Sequence, residues 1–304
     1  MYDVIIGGGG PAGLNAALYS ARAGLRCLVL EEMFAGGQMS TTTTLENYIG
    51  FPDGVDAVAL AMQMEEQAQK AGAEIRYEKI ESLDLSGAVK KVVTAKETLL
   101  CKTFIACMGA KPKQLGIPGE EELRGRGVSY CATCDGALYK NKTVAVIGGG
   151  DTALEDALFL ARYCQKVYLI HRRDSFRGVH TLAEQVKKTE NVELVLNTVA
   201  TAVNGDSRVE SLTINNVVSG ETGELVTDGV FVAVGTQPGT SLLQGILVLN
   251  EQGYVVTNEE METEIPGVYA AGDLRKKPLR QVITAAADGA IASYSALRYI
   301  EAGR

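Results

Sequence analysis

Short apolar runs punctuated by glycine recur along this chain, and one arrangement of them occurs twice. Tyr2–Ile6 predicts a strand, Gly8–Gly13 a turn, Leu14–Ala23 a helix, and Arg26–Leu30 a second strand closed by Glu31. Farther on, Thr143–Ile147 predicts a strand, Gly148–Gly150 a turn, Asp151–Tyr163 a helix, and Lys166–Ile170 the next strand, closed by His171. Gly8 to Glu31 spans 23 positions, and so does Gly148 to His171, which marks an internal duplication of a nucleotide-binding βαβ unit.

A strand meander follows each copy. Glu74–Leu85, Ala88–Thr94 and Thr98–Ala106 alternate as strands after the first copy; Val192–Val203, Arg208–Val218 and Glu224–Val234 do so after the second. Tyr254–Val256 and Val268–Ala271 then lead to Gly272-Asp273 and a long helical segment, Gln281–Ile300, which continues the first pattern. The second copy therefore reads as an insertion into the first. Proline and glycine at Lys111-Pro112 and Gln237-Pro238-Gly239 place the hinges, giving domains 1–112, 113–240 and 241–304, the first and third forming one body.

The glycines answer a physical need. A strand-to-helix turn requires positive φ or close backbone approach, and a pyrophosphate then lies on the free N–H groups and dipole of the helix N-terminus. In the first copy these positions are Gly8, Gly10, Pro11, Ala12 and Gly13; in the second they are Gly148, Gly150, Asp151, Thr152 and Ala153. The residue closing the second strand separates the ligands. Glu31 accepts from the hydroxyls of a free adenosine ribose. At the matching place stand His171, Arg172, Arg173 and Arg177, whose guanidiniums suit a 2′-phosphate and hence NADPH.

Cys131-Ala-Thr-Cys134 lies just ahead of the second glycine turn. Its rival readings are half a zinc site and a buried structural pair. Zinc needs two further ligands, and the only histidines, His171 and His180, lie in or near the arginine cluster, so no metal is expected. A redox disulfide is the reading the flanking nucleotide sites favour. Asp135, adjacent to Cys134, is the candidate acid that protonates a leaving thiolate; the competing reading makes it the entry residue of a short helix over Gly136–Tyr139. Burial and a neighbouring thiolate are expected to raise its pKa. Cys27, Cys101, Cys107 and Cys164 read as small core residues.

Composition narrows the partners. The net charge of −8 argues against a nucleic-acid or anionic-membrane surface. No apolar run reaches the length of a membrane span. Met1–Ile6 runs directly into the glycine turn, so no signal peptide is expected, and six cysteines in 304 residues suit a reducing cytoplasm better than a secreted disulfide framework.

Taken together, these motifs resemble the low-molecular-weight thioredoxin reductases along the whole chain. The resemblance is carried by Gly8–Gly13, Gly36-Gly37-Gln38 with Thr41–Thr44, Glu46-Asn47, Cys131–Asp135, Gly148–Ala153, His171–Arg177, Ala271-Gly272-Asp273 and Pro278-Leu279-Arg280-Gln281. It implies an α/β fold of two Rossmann-like dinucleotide-binding domains, for FAD and NADPH, the second inserted into the first. It implies FAD held by the first glycine turn with Glu31, Gly37, Gln38, Asn47, Gly272, Asp273, Arg280 and Gln281. NADPH is implied at the second turn with the His171–Arg177 cluster and Gly235. A homodimer, thioredoxin as the disulfide substrate and Cys134 as the sulfur nearer the flavin are implied as well. Cys107-Met108 departs from the Ala-Thr of many relatives. Two other readings remain: a reductase of the same build for another protein or small disulfide, and a nucleotide-binding redox sensor without turnover.

Overall fold

The computed structural model describes residues 1–41 and 44–303, so Thr42 and Thr43 of the Thr41–Thr44 motif lie outside the described residues. The chain forms two compact units, Met1–Lys111 with Gln237–Arg304, and Pro112–Thr236.

In the first unit, strands β1 (Tyr2–Gly7), β2 (Cys27–Glu31) and β5 (Glu74–Tyr77) lie parallel, with β1 flanked on its other side by β8 (Thr98–Ala106). Two small strands, β3 (Thr44–Leu45) and β4 (Val55–Asp56), form a separate antiparallel pair. The long strand β8 is shared along its free edge. Its first half pairs antiparallel with β7 (Lys90–Thr94), itself paired with β6 (Ile80–Asp84); its second half pairs parallel with β19 (Val268–Ala270). The C-terminal segment thus completes the sheet that the N-terminus begins.

Both faces of this sheet are buried, which explains why its strands read as continuous apolar runs. Ile5, Leu28, Leu30 and Phe104 point into one core, and Val4, Ile6, Val29 and Ile105 into the other. The second core is covered by helices α1 (Pro11–Arg22) and α6 (Val282–Glu301). These helices are tied by Asn15 Nδ2 donating to the Ala286 carbonyl (2.6 Å) and by the Ser20–Ser293 hydroxyl pair (2.8 Å). Helix α2 (Ala57–Lys70) is capped by Asp56, whose Oδ1 accepts from the Ala59 N–H at 2.7 Å.

The second unit repeats the plan. Its parallel sheet runs β10 (Val128–Ser129), β17 (Gly229–Ala233), β11 (Thr143–Gly148), β12 (Lys166–Ile170), β13 (Val192–Val195). Helices α3 (Ala132–Asp135), α4 (Asp151–Leu160) and α5 (His180–Lys188) belong to it, with an antiparallel sheet of β14 (Thr198–Asn204), β15 (Ser211–Asn216) and β16 (Thr222–Val226). The connecting strands β9 (Ala110–Pro112) and β18 (Thr236–Pro238) pair with each other.

The α/β reading with a duplicated parallel-sheet unit holds, while several boundaries move. Helix α1 starts at Pro11, because proline at the first helical position loses no needed N–H and its φ is already helical. Three expected long strands are each two: Glu74–Leu85 breaks at Glu78-Lys79, Val192–Val203 at Leu196-Asn197, and Glu224–Val234 at Thr227-Asp228. At the second and third breaks the chain leaves one sheet for another, and at the first it passes from one edge of the first sheet to the other. At Asn197 the backbone turns through the left-handed region (φ 52°), which asparagine tolerates. Tyr254–Val256 forms only isolated bridges through Val255, to Leu249 and Arg275. Helix α4 stops at Leu160, short of Tyr163.

Candidate functional site

Cys131 and Cys134 form a disulfide across α3, with Cα atoms 5.3 Å apart; both cysteines are half-buried. Asp135 closes the helix and is also half-buried. It also stands at the N-cap position of the following turn, Gly136–Tyr139, as the helix-entry reading has it, but without a side-chain capping hydrogen bond. Its Oδ2 instead accepts from the hydroxyl of buried Ser129 at 2.6 Å. That contact escaped the sequence reading, because a serine in a two-residue strand carries no pattern. The other four cysteines are buried. Burial pushes the thiols of Cys27 and Cys164 up to about 11 and that of Cys101 up to about 12, with Cys107 higher still. Met108 packs beside the first core.

The first glycine turn lies at the C-terminal ends of parallel strands, where α/β sheets place their ligands. Gly8 has φ 106°, and a Cβ on Gly13 would overlap the Gly8 carbonyl oxygen, so the turn admits no larger residue there. Gly10 caps α1 without any side-chain cap, and the first turn of α1, with Pro11 and Ala12, holds no acidic residue. Glu31 leans over the turn: its Oε2 accepts from Gly9 N–H (2.7 Å) and its Oε1 from Glu32 N–H (2.9 Å). Gly36 N–H donates to the Gly9 carbonyl (2.8 Å), bringing Gly37 against Gly10, with Gln38 exposed just beyond. Gly272 abuts Ala12 from the other side.

A second group of the expected residues lies along the start of α6. Gln281 caps that helix and accepts from Asn47 Nδ2 at 3.0 Å. Arg280 donates to the Asp273 carbonyl (3.3 Å) and stacks 4.1 Å above the centre of the Tyr254 ring. Asp273 Oδ1 is buried without a hydrogen-bond partner. Burial pushes this carboxyl up, and Lys277 and Arg280 offset that only in part. A buried acceptor left unpaired is costly, so a donor from a bound polyhydroxylic group fits this position. Beneath it lies a cluster that the sequence did not disclose. Asp288, buried on α6, accepts from Gly272 N–H (3.0 Å), Arg275 Nε (2.8 Å) and Lys277 Nζ (2.7 Å). Burial would raise its pKa, but these cationic donors outweigh burial and hold it below the usual carboxylate range.

The second glycine turn repeats the geometry with a different neighbour. A Cβ on Gly149 would overlap the imidazole of His171, so the ring packs directly on the turn. His171 is buried, stacks on Phe176 (5.5 Å between ring centres), and its Nε2 has no hydrogen-bond partner. Burial, then the charges of Arg173, Arg177 and Arg172, lower its pKa. Gly148 packs on Ala153, and Gly150 caps α4 without a side-chain cap, with Thr152 exposed in the first turn. Asp151 Oδ1 accepts from Val179 N–H (2.6 Å), and Arg177 N–H donates to the Gly149 carbonyl (2.8 Å); these bonds fold the 171–179 loop over the turn. Arg172, Arg173 and Arg177 are exposed, and among the described residues none forms an ion pair. An anionic group fits there. Gly235 (φ 108°) stands apart, where its carbonyl accepts from Lys113 N–H (2.9 Å) at the connecting strands.

A disulfide in a chain with two glycine turns, each at the carboxyl end of a parallel sheet, defines a class of flavin- and nicotinamide-linked disulfide enzymes. The sequence profile described as "Pyridine nucleotide-disulphide oxidoreductase" matches residues 2–289, and the chain belongs to that family. Within it the similarity is to proteins named thioredoxin reductase. That of Peptoclostridium litorale is 45% identical over 307 residues, covering 99% of this chain and 98% of its own. A bifunctional thioredoxin reductase/thioredoxin of Mycobacterium leprae is 45% identical over 302 residues, covering 99% of this chain and 66% of its own. The crystal structure of thioredoxin reductase from Streptococcus pyogenes superimposes with a TM-score of 0.95 at 39% identity, covering 99% of each chain.

Proposed function

We propose that this chain is an NADPH-dependent thioredoxin-disulfide reductase, and the observation that carries the reading is the Cys131–Cys134 disulfide within this two-turn fold. When bound, NADPH would supply the hydride and FAD the two-electron carrier through which the disulfide is reduced. In the first unit, the turn Gly8, Gly10, Pro11, Ala12 and Gly13 would cradle the FAD pyrophosphate, with backbone N–H groups offered by every one of these residues except Pro11. Glu31 would accept from its adenosine ribose, and Asp273 Oδ1 would take a hydroxyl donor. Gly37, Gln38, Asn47, Gly272, Arg280 and Gln281 would complete that site. In the second unit, Gly148, Gly150, Asp151, Thr152, Ala153 and Gly235 would bound the NADPH dinucleotide. Arg172, Arg173 and Arg177 would hold its 2′-phosphate beside neutral His171.

Once reduced, the dithiol acts on its substrate by exchange. One thiolate attacks a sulfur of the partner disulfide, a mixed disulfide forms, and the second thiolate resolves it. Asp135 delivers the proton to the departing thiolate. Thioredoxin as the partner is supported by the names of the relatives, one of which carries both activities on one chain. We further infer a homodimer working in the cytoplasm. Among the described residues no helix is long and apolar enough to cross a membrane.

The test is NADPH consumption by purified, flavin-loaded protein against a panel of thioredoxins and small disulfides. Thioredoxin is expected to be the best acceptor. Cys131→Ser and Cys134→Ser should each abolish turnover while NADPH still bleaches the flavin. Normal turnover in either variant would refute the dithiol as the reducing group.

A further inference from the structure

Ser129 closes β10 two residues before the redox pair, and the residue is 5% exposed. Its hydroxyl is a junction of three hydrogen bonds. Cys131 N–H donates to Oγ at 3.1 Å. Two acceptors then compete for the single hydroxyl proton: Asp135 Oδ2 at 2.6 Å and the Cys131 carbonyl at 3.4 Å. A serine hydroxyl donates once and accepts twice, so it serves one of these acceptors at a time and has one accepting position to spare.

That capacity matches what an acid in this place requires. While Asp135 is ionised, the short charge-assisted bond from Ser129 is the stronger one. When Asp135 is protonated, its own O–H donates into the spare accepting position of Oγ, and the serine proton turns to the Cys131 carbonyl. Every group stays bonded in both states, and no heavy atom has to move.

We propose that Ser129 is a positioning residue for proton transfer, a hydroxyl that exchanges acceptors so that Asp135 gains and loses its proton in place. This rests on the reading of Asp135 as the acid. In the step concerned, a thiolate of the reduced dithiol bonds to one sulfur of the partner disulfide and the partner's S–S bond breaks. The Asp135 O–H turns from Ser129 Oγ to the departing thiolate and gives up its proton there, and Ser129 swings from the Cys131 carbonyl to the new carboxylate. The same hydroxyl holds the Cys131 N–H throughout, so acid and sulfur are registered on one atom.

Several titratable groups share these surroundings. Tyr139, on the turn after α3, has its phenol pushed up to about 12 by burial and then by the charges of Asp135 and Asp228. Helix α4, packed on α3, carries Asp151, Glu155 and Asp156. Strand β17, paired with β10, carries no charged residue.

The experiment compares holoenzymes with Ser129→Thr and Ser129→Val, side chains of similar shape that differ in the hydroxyl, with Ser129→Ala as a second hydroxyl-free variant. Flavin retention and its reduction by NADPH serve as the folding check. Thr should keep the wild-type pH profile for thioredoxin turnover. Val and Ala should lower kcat about tenfold and move the alkaline limb upward by about one pH unit, because the ionised carboxylate has lost a donor. A fall in kcat with an unmoved limb would mean a merely structural serine and would overturn the proposal. So would wild-type behaviour in Val or Ala while Asp135→Asn is crippled. Wild-type turnover in Asp135→Asn would instead remove the acid reading itself.

Discussion

A buried carboxyl with two cations on it and one with none titrate in opposite directions, and Asp288 and Asp156 show both cases. Asp288 is depressed by Arg275 and Lys277, so its ion pairs support the fold above a carboxylate's ordinary pKa of about 3.9 and fail only as pH falls through its lower folded value. Asp156 is half-buried on α4. Burial, with the charge of Glu155 adding, pushes it up to about 7. Its raised pKa means that the folded protein holds a proton the unfolded chain has lost. Stability therefore declines as pH rises between about 4 and 7 and stays reduced above. Asp156→Asn should raise the thermal midpoint by about 3–6 °C at pH 8 and leave it unchanged near pH 4. Equal midpoints at pH 8 would show that Asp156 is well solvated.

At the scale of elements, the loop after β12 separates the two nucleotide sites. Glu31 ends β2 with a carboxylate bonded to backbone N–H groups, whereas β12 is followed by three exposed arginines. Arg172→Gln with Arg173→Gln should raise the KM for NADPH more than about tenfold and barely change that for NADH, since charged hydrogen bonds contribute about 1.5–3 kcal/mol each. Parallel losses for both nucleotides would show that the cluster does not read the 2′-phosphate. These elements were legible in the sequence because the constraint is local. Only glycine fits where a carbonyl or an imidazole already stands, and the strand ends are set by a fixed count from it. Helix α2 was passed over although Asp56 at its cap and Ala57, Leu60, Ala61 and Ala68 on one face announce it. Ser129 with Asp135, and Asp288 with Gly272 and Lys277, could not be read. Their meaning lies in partners that the chain brings together only on folding, and a lone serine or aspartate carries no periodicity.

At the scale of the molecule, each unit has cores of its own: two line the first sheet, and two more line the second. Calorimetry of the flavin-free protein should resolve two transitions, with added FAD raising one and NADP⁺ raising the other by mass action. A single transition raised by either nucleotide would show that the units melt as one. The division also sets an order of assembly. The inserted unit is one continuous stretch, complete once Thr236 has left the ribosome, whereas the first sheet waits for β19, and α1 for its cover α6. A nascent chain stalled after Thr236 has emerged from the ribosome, but before β19 has, should therefore hold a protease-resistant second unit behind an unfinished first. The opening hundred residues of such a chain depend on a partner still unmade, and flavin capture has to wait for it.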